Sequence, residues 1–111
     1  MTKSPITSHV LDTATGQPAA GLPVQLSRLE GETWQTVDEA ITDADGRIMT
    51  WRVPDQDLGF GTYRLRFQLQ SYLGDSAFYP YADVVFALAD ERHHHIPLLL
   101  SPFGYSTYRG S

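Results

Sequence analysis

The sequence predicts an all-β protein, a sandwich or barrel, and three observations predict it. Apolar runs are short. Gly, Pro and Asp clusters break them at close intervals. Several runs alternate with a period of two, most clearly 61–69, where Tyr63, Leu65, Phe67 and Leu69 alternate with Arg64, Arg66 and Gln68.

Eight strands follow from that pattern. Ile6 to Asp12 reads as the first. Thr13 to Pro23 holds two glycines and two prolines and reads as a loop. Val24 to Leu29 and Trp34 to Thr42 form a hairpin across Gly31-Glu32. Asp43-Ala44-Asp45-Gly46 is a turn that needs Gly46 at positive φ, and Arg47 to Thr50 is a short strand after it. Gly61 to Leu69 is the fifth strand, and Gln70 to Asp75 is expected to make a short helical turn. Asp83 to Leu88, His93 to Leu100 and Tyr105 to Arg109 complete the set, the last two joined by the turn Ser101-Pro102-Phe103-Gly104. There is no internal repeat, low-complexity tract or linker, so residues 1–111 are expected to form one domain.

The bulk numbers narrow the function classes. A chain of 111 residues buries roughly two-thirds of its unfolded surface and needs no staples. It has no cysteine, which excludes disulfides, thiolate metal sites and a cysteine nucleophile. A net charge of −5 argues against a nucleic-acid partner, which would call for a basic face. No apolar run has the length of a signal peptide or a membrane span. A cytoplasmic protein is the default expectation, with a processed, mature exported form as the alternative.

The strand 93–100 is the most informative. Side chains alternate between faces, which puts Ile96, Leu98 and Leu100 on one face and His93, His95, Pro97 and Leu99 on the other. The first set is core. The second also carries apolar bulk, and a strand apolar on both faces is buried on both. In a sandwich the outer face then meets another subunit. The first strand agrees more weakly, with Ile6 and Val10 inward and Thr7, His9 and Leu11 outward.

Parity therefore sets His9 and His95 on outward faces among apolar neighbours, a setting that holds imidazoles near neutrality for proton transfer. Taken singly, each His reads as a surface residue or a satisfied core one. The run His93-His94-His95 allows two further readings. One is a metal site of His93, His95 and His9, although no distinctive ligand spacing accompanies them. The other is chance enrichment at a strand end, with His94 on the opposite face. Arg47 follows a tight turn, where a cation is either solvated or set at a pocket rim to hold an anion. Asp43 and Asp45 read as turn formers. No nucleophile elbow or phosphate loop is present. The ending 105–111 carries two tyrosines directly after a buried strand, so it is expected to be docked rather than frayed.

Three stretches carry a resemblance: His9 to Ala19, Thr42 to Arg47, and His95 to Pro102 running into Tyr108-Arg109-Gly110-Ser111. Through them the chain resembles the 5-hydroxyisourate hydrolases, the enzymatic relatives of transthyretin, along nearly its full length. The terminal tetrapeptide is specific to the hydrolases. Transthyretin lacks it and differs at the positions of His9, Arg47 and His95. The resemblance implies a prealbumin-like (transthyretin-like) sandwich of two four-stranded sheets with one short helix. It also implies a homotetramer, built from edge-to-edge dimers paired back to back, with pockets in the channel between them. It implies His9, Arg47 and His95 as catalytic residues, and Tyr108, Arg109, Gly110, Ser111 and Leu99 as substrate-binding ones. His94 departs from the family pattern, and on the parity above it faces away from the channel.

The implied substrate is 5-hydroxyisourate, opened by water attack on the C6 carbonyl with cleavage of N1–C6. His9 and His95 would share the acid-base work, Arg47 would stabilise charge, and the tail would shape the pocket, with no metal or cofactor required. His93 and His94 are expected to matter much less. A hormone carrier with the transthyretin fold and a zinc-dependent amide hydrolase are the two rivals.

Overall fold

The computed structural model describes residues 4–110. Its elements are β1 (Ile6–Asp12), β2 (Gln17–Pro18), β3 (Pro23–Glu30), β4 (Thr33–Ile41), β5 (Arg47–Ile48), β6 (Gly61–Phe67), α1 (Leu69–Leu73), β7 (Ala82–Leu88), β8 (His94–Ser101) and β9 (Gly104–Thr107). Two 3-10 turns, Asp55–Asp57 and Gly74–Ser76, complete them. No helix among these residues is long and apolar enough to cross a membrane.

The strands form two sheets. One runs β4-β3-β6-β7, with every pair antiparallel. The other runs β2-β1-β8-β9, and β5 also pairs β1. Both two-residue strands occupy the same outer position. β2 lies beside Leu11 and Asp12, and β5 lies beside Ser8 and His9. This sheet is therefore four strands wide although it holds five, and the expected pair of four-stranded layers is met with one outer edge divided in two. The sequence reading missed β2 because Gln17-Pro18 sits inside a Gly- and Pro-rich stretch with no alternation to reveal it.

The core is the space between the layers. Ile6 and Val10 of β1 and Ile96, Leu98 and Leu100 of β8 meet Val24 and Leu26 of β3 and Tyr63, Leu65 and Phe67 of β6, all buried. Strand alternation turns these positions inward. Strand β6 ends two residues earlier than its alternation suggested. The Gln68 N–H bonds the Pro23 carbonyl, and the buried Leu69 opens α1 instead. Gly74 caps the C-terminus of α1 with φ +69 and ψ −144, a backbone combination open essentially to glycine alone.

β1 and β8, some 88 residues apart in the chain, lie side by side in parallel, and this pairing positions everything that follows. Thr7 is opposite His95, His9 opposite Pro97, and Leu11 opposite Leu99. The Trp51 indole N–H donates to the Ile6 carbonyl at 2.9 Å and fixes the start of β1.

Candidate functional site

On β1 and β8 the outward residues follow the expected parity. Ile6, Ser8, Val10 and Asp12 face the core side and are buried, and so are His94, Ile96, Leu98 and Leu100. His9 and His95 lie on the other face, half-buried. Arg47, also half-buried, is the direct cross-strand partner of His9. Cβ atoms of such a pair stand about 5 Å apart. His95 sits two residues along β8 from Pro97, the partner of His9. Strand spacing and rise put the two histidine Cα atoms about 8 Å apart, within reach of their rings.

Arg47 is held by its turn. Gly46 has φ +75, and a Cβ there would stand 2.5 Å from the Val10 carbonyl oxygen. The Val10 N–H donates to the Gly46 carbonyl at 2.8 Å. The Asp43 carboxylate accepts from the Asp45 and Arg47 N–H groups at 2.8 and 3.0 Å. Asp43 is thus a turn former, as its position suggested, and the close approach of Gly46 sets Arg47 against β1.

The tail meets the same face. β9 pairs β8 from Ser101↔Gly104 to Leu98↔Thr107, and a single bridge resumes in the same register at His95↔Gly110. Pro97 accounts for the gap. Its carbonyl accepts the Thr107 hydroxyl at 2.7 Å and so turns toward β9. A residue's N–H and C=O point to the same side of a strand, so the donor that proline lacks is missing on that side too. Tyr108 comes opposite Pro97 in register, extending the row Arg47–His9–Pro97. The Gly110 N–H donates to the His95 carbonyl at 2.8 Å. Tyr108 and Arg109 also line a cleft of about 340 Å³ with Val84, Phe86 and Ala87 of β7 and His94, His95 and Ile96 of β8. Ser111, expected in the site, lies outside the described residues.

One expected site member is separated from this group, and His94 stands apart from it as its parity implied. Leu99 shares the outward face but is four residues from His95, roughly 13 Å along the strand. It lines a different hollow, with Thr13, Ser101 and Tyr105. His94 is buried on the inward side, its Nδ1 2.6 Å from the Arg92 carbonyl oxygen. Sequence reasoning overlooked Thr7. It is fully buried, and its hydroxyl lies 2.7 Å from both His93 Nε2 and His95 Nδ1. Parity had put Thr7 on the right face, but only the β1–β8 pairing reveals what it touches. Among the described residues no three His, Asp or Glu side chains are arranged to hold a metal ion.

The profile of the HIUase/Transthyretin family matches residues 6–110. The chain belongs to this family. A relative named 5-hydroxyisourate hydrolase from Mus musculus is 47% identical, with 97% of this chain and 96% of the relative covered. The solved structure of Klebsiella pneumoniae 5-hydroxyisourate hydrolase superposes with a TM-score of 0.80 at 39% identity, covering 96% and 98% of the two chains. Sea bream transthyretin, solved in complex with thyroxine, gives a TM-score of 0.86 at 31% identity, covering 96% and 94%. Within the HIUase/transthyretin family the two measures rank these neighbours differently. Backbone likeness alone therefore does not choose between hydrolase and carrier.

Proposed function

We propose that this chain is a metal-independent 5-hydroxyisourate hydrolase and that residues 1–111 act as one domain. The observation that carries the reading is the cross-strand pair His9–Arg47 with His95 diagonal to it on one half-buried face. Cyclic amide hydrolysis needs a base to activate water, a donor to the leaving nitrogen, and a cation beside the charge that develops on the carbonyl oxygen. Two imidazoles and a guanidinium supply all three. Water attacks C6, the N1–C6 bond breaks, and the product is 2-oxo-4-hydroxy-4-carboxy-5-ureidoimidazoline. His9 and His95 share the proton transfers. Arg47 stabilises the oxyanion and orients the substrate. The tail Tyr108, Arg109, Gly110 and Ser111 shapes the pocket, with Leu99 further along the same face.

The names borne by relatives at 40–47% identity support the substrate. A carrier has no use for a proton-transfer pair backed by an arginine, which weighs against the thyroxine-binding alternative. We also assign the outward face of β1 and β8 to contact between copies in a homotetramer, a dimer of dimers. Its support is the apolar bulk of Leu11 and Leu99 on that face and the exposed Val85 and Tyr105 on the edge strands β7 and β9.

Freshly generated 5-hydroxyisourate hydrolysed in ¹⁸O-water, with a strong chelator present, tests the reaction. The reading expects accelerated ring opening, with one ¹⁸O in the new carboxylate, unaffected by the chelator. Loss of activity on chelation, restored by zinc, would overturn the metal-free mechanism.

A further inference from the structure

Behind the proposed site, one hydroxyl joins two imidazoles. Thr7 Oγ1 stands 2.7 Å from His95 Nδ1 and 2.7 Å from His93 Nε2. The two rings lie 6.0 Å apart, centroid to centroid. Thr7 itself is fully buried. A hydroxyl has one hydrogen to donate and lone pairs to accept with, so it can donate to only one of the two rings. We propose that Thr7 is a positioning residue that sets the tautomer of His95 and makes His93 the store for its proton. This inference rests on the acid-base role assigned to His95 above.

The two orientations of the hydroxyl correspond to two forms of His95. If Thr7 donates to His93 Nε2, it accepts from the Nδ1–H of His95. The lone pair of His95 is then at Nε2, the ring nitrogen that Thr7 does not engage, and His95 is a base. If Thr7 donates to His95 Nδ1, the hydrogen of His95 is at Nε2, and His95 is an acid. Hydrolysis needs both in turn. His95 Nε2 takes a proton from the attacking water as the C6–O bond forms. The Nδ1 proton of His95 passes to Thr7 as the proton of Thr7 passes to His93 Nε2. His95 is now neutral with hydrogen at Nε2, and the positive charge sits on His93. As the C–N bond breaks, His9 gives a ring hydrogen to the leaving nitrogen and takes the Nε2 hydrogen of His95, and the relay runs back. Every proton is accounted for and no co-reactant is needed. The strands packed around this pair also carry His9 and Asp12 on β1, Arg47 on β5, His94 on β8 and Tyr105 on β9, and the tail adds Tyr108 and Arg109. Asp90 and Arg92 precede β8.

The test compares wild type with Thr7→Val, Thr7→Ser and His93→Gln. Ring-nitrogen NMR of His95 without substrate reads the tautomer, and the pH dependence of kcat reads the proton transfers. Thr7→Val should shift the ring-nitrogen resonances of His95 and lower kcat at least about tenfold, the lower part of the range for acid-base effects, with KM little changed. Thr7→Ser should restore most of both. His93→Gln should keep a hydrogen-bonding group near Thr7 yet move or abolish one limb of the pH profile. A Thr7→Val protein with wild-type resonances and pH profile would overturn the proposal. If Thr7→Val does not fold, a wild-type pH profile in His93→Gln would do so. The NMR comparison needs no turnover. A wild type inactive toward 5-hydroxyisourate would therefore sink the proposed function, while the resonances still decide the role of Thr7.

Discussion

Gly110 lies against the ring of His95 so closely that a Cβ on it would stand 2.5 Å from the ring's Cδ2 and 3.2 Å from Cγ. Its N–H also bonds the His95 carbonyl. The tail therefore sets the ring's position by contact, and only glycine leaves room for the ring. Gly110→Ala should push the imidazole or the tail aside and lower kcat by roughly tenfold or more, since small misplacements of catalytic groups are costly. Stability should change little, because Gly110 lies outside the core cluster. Deleting Tyr108 to Ser111 should leave a folded protein with most of its activity lost. Circular dichroism and the hydrolysis assay check both. A fully active truncated protein would reduce the tail to a family marker.

A second prediction concerns Asp38 and pH. Strand β4 bulges at Val37, which falls between the pairs Leu26↔Asp38 and Ser27↔Thr36. The bulge turns Asp38 inward, where its carboxylate accepts the Glu39 and Val53 N–H groups at 2.7 and 2.8 Å. Burial pushes its pKa up, but these bonds, with the Arg52 side chain, hold it below the ordinary carboxylate value. The Arg52 contribution is minor, because its side chain is 83% exposed and such pairs are screened. A depressed folded pKa stabilises above the unfolded value, near 3.9, and that stability is lost as pH falls through the folded value. Asp38→Asn should therefore cost about 1–3 kcal/mol at pH 7 and progressively less below about pH 4. Urea unfolding at pH 7 and pH 3 measures this. An equal cost at both would show that charge is not the cause. The consequence reaches the site, because Asp38 anchors Val53 two residues from Trp51, which holds the start of β1.

How far the sequence revealed this molecule depended on whether the signal was local. β1 was read with its observed limits because Ile6 and Val10 alternate with polar residues and Thr13 to Gly16 ends the run. The two-faced character of β8 was legible in Ile96, Leu98 and Leu100 against Pro97 and Leu99. The parallel pairing of β1 with β8 was not legible, because it joins segments some 88 residues apart that carry no mark of each other. For that reason the sequence places Thr7 on the outward face but carries no sign of its contacts with His93 and His95. The tail was expected as a strand to Arg109, whereas regular pairing stops at Thr107 and resumes at Gly110 around Pro97. The 3-10 turn 55–57 lay in a stretch with no periodicity to read.

Assembly gives a third prediction. Leu11 and Leu99 are direct partners on the outward face, and both are half-buried within one chain. Leu99→Glu should split the proposed tetramer, since it would bury an unpaired charge at the contact. Light scattering should then show dimers. An active wild-type monomer would refute a shared channel.

On the proposed mechanism His9 and His95, with Arg47, open the hydroxyisourate ring. The most direct measurement is the decay of the 5-hydroxyisourate absorbance after urate oxidase treatment of urate, followed with wild type, His9→Asn, His95→Asn and His94→Asn at equal concentrations. Wild type should accelerate the decay strongly. His9→Asn and His95→Asn should each lose about two or more orders of magnitude. His94→Asn, altered on the core side of the same strand, should stay close to wild type. A His94→Asn loss as large as that of His95→Asn in a folded protein, or wild-type rates in His9→Asn or His95→Asn, would refute the proposed acid-base roles.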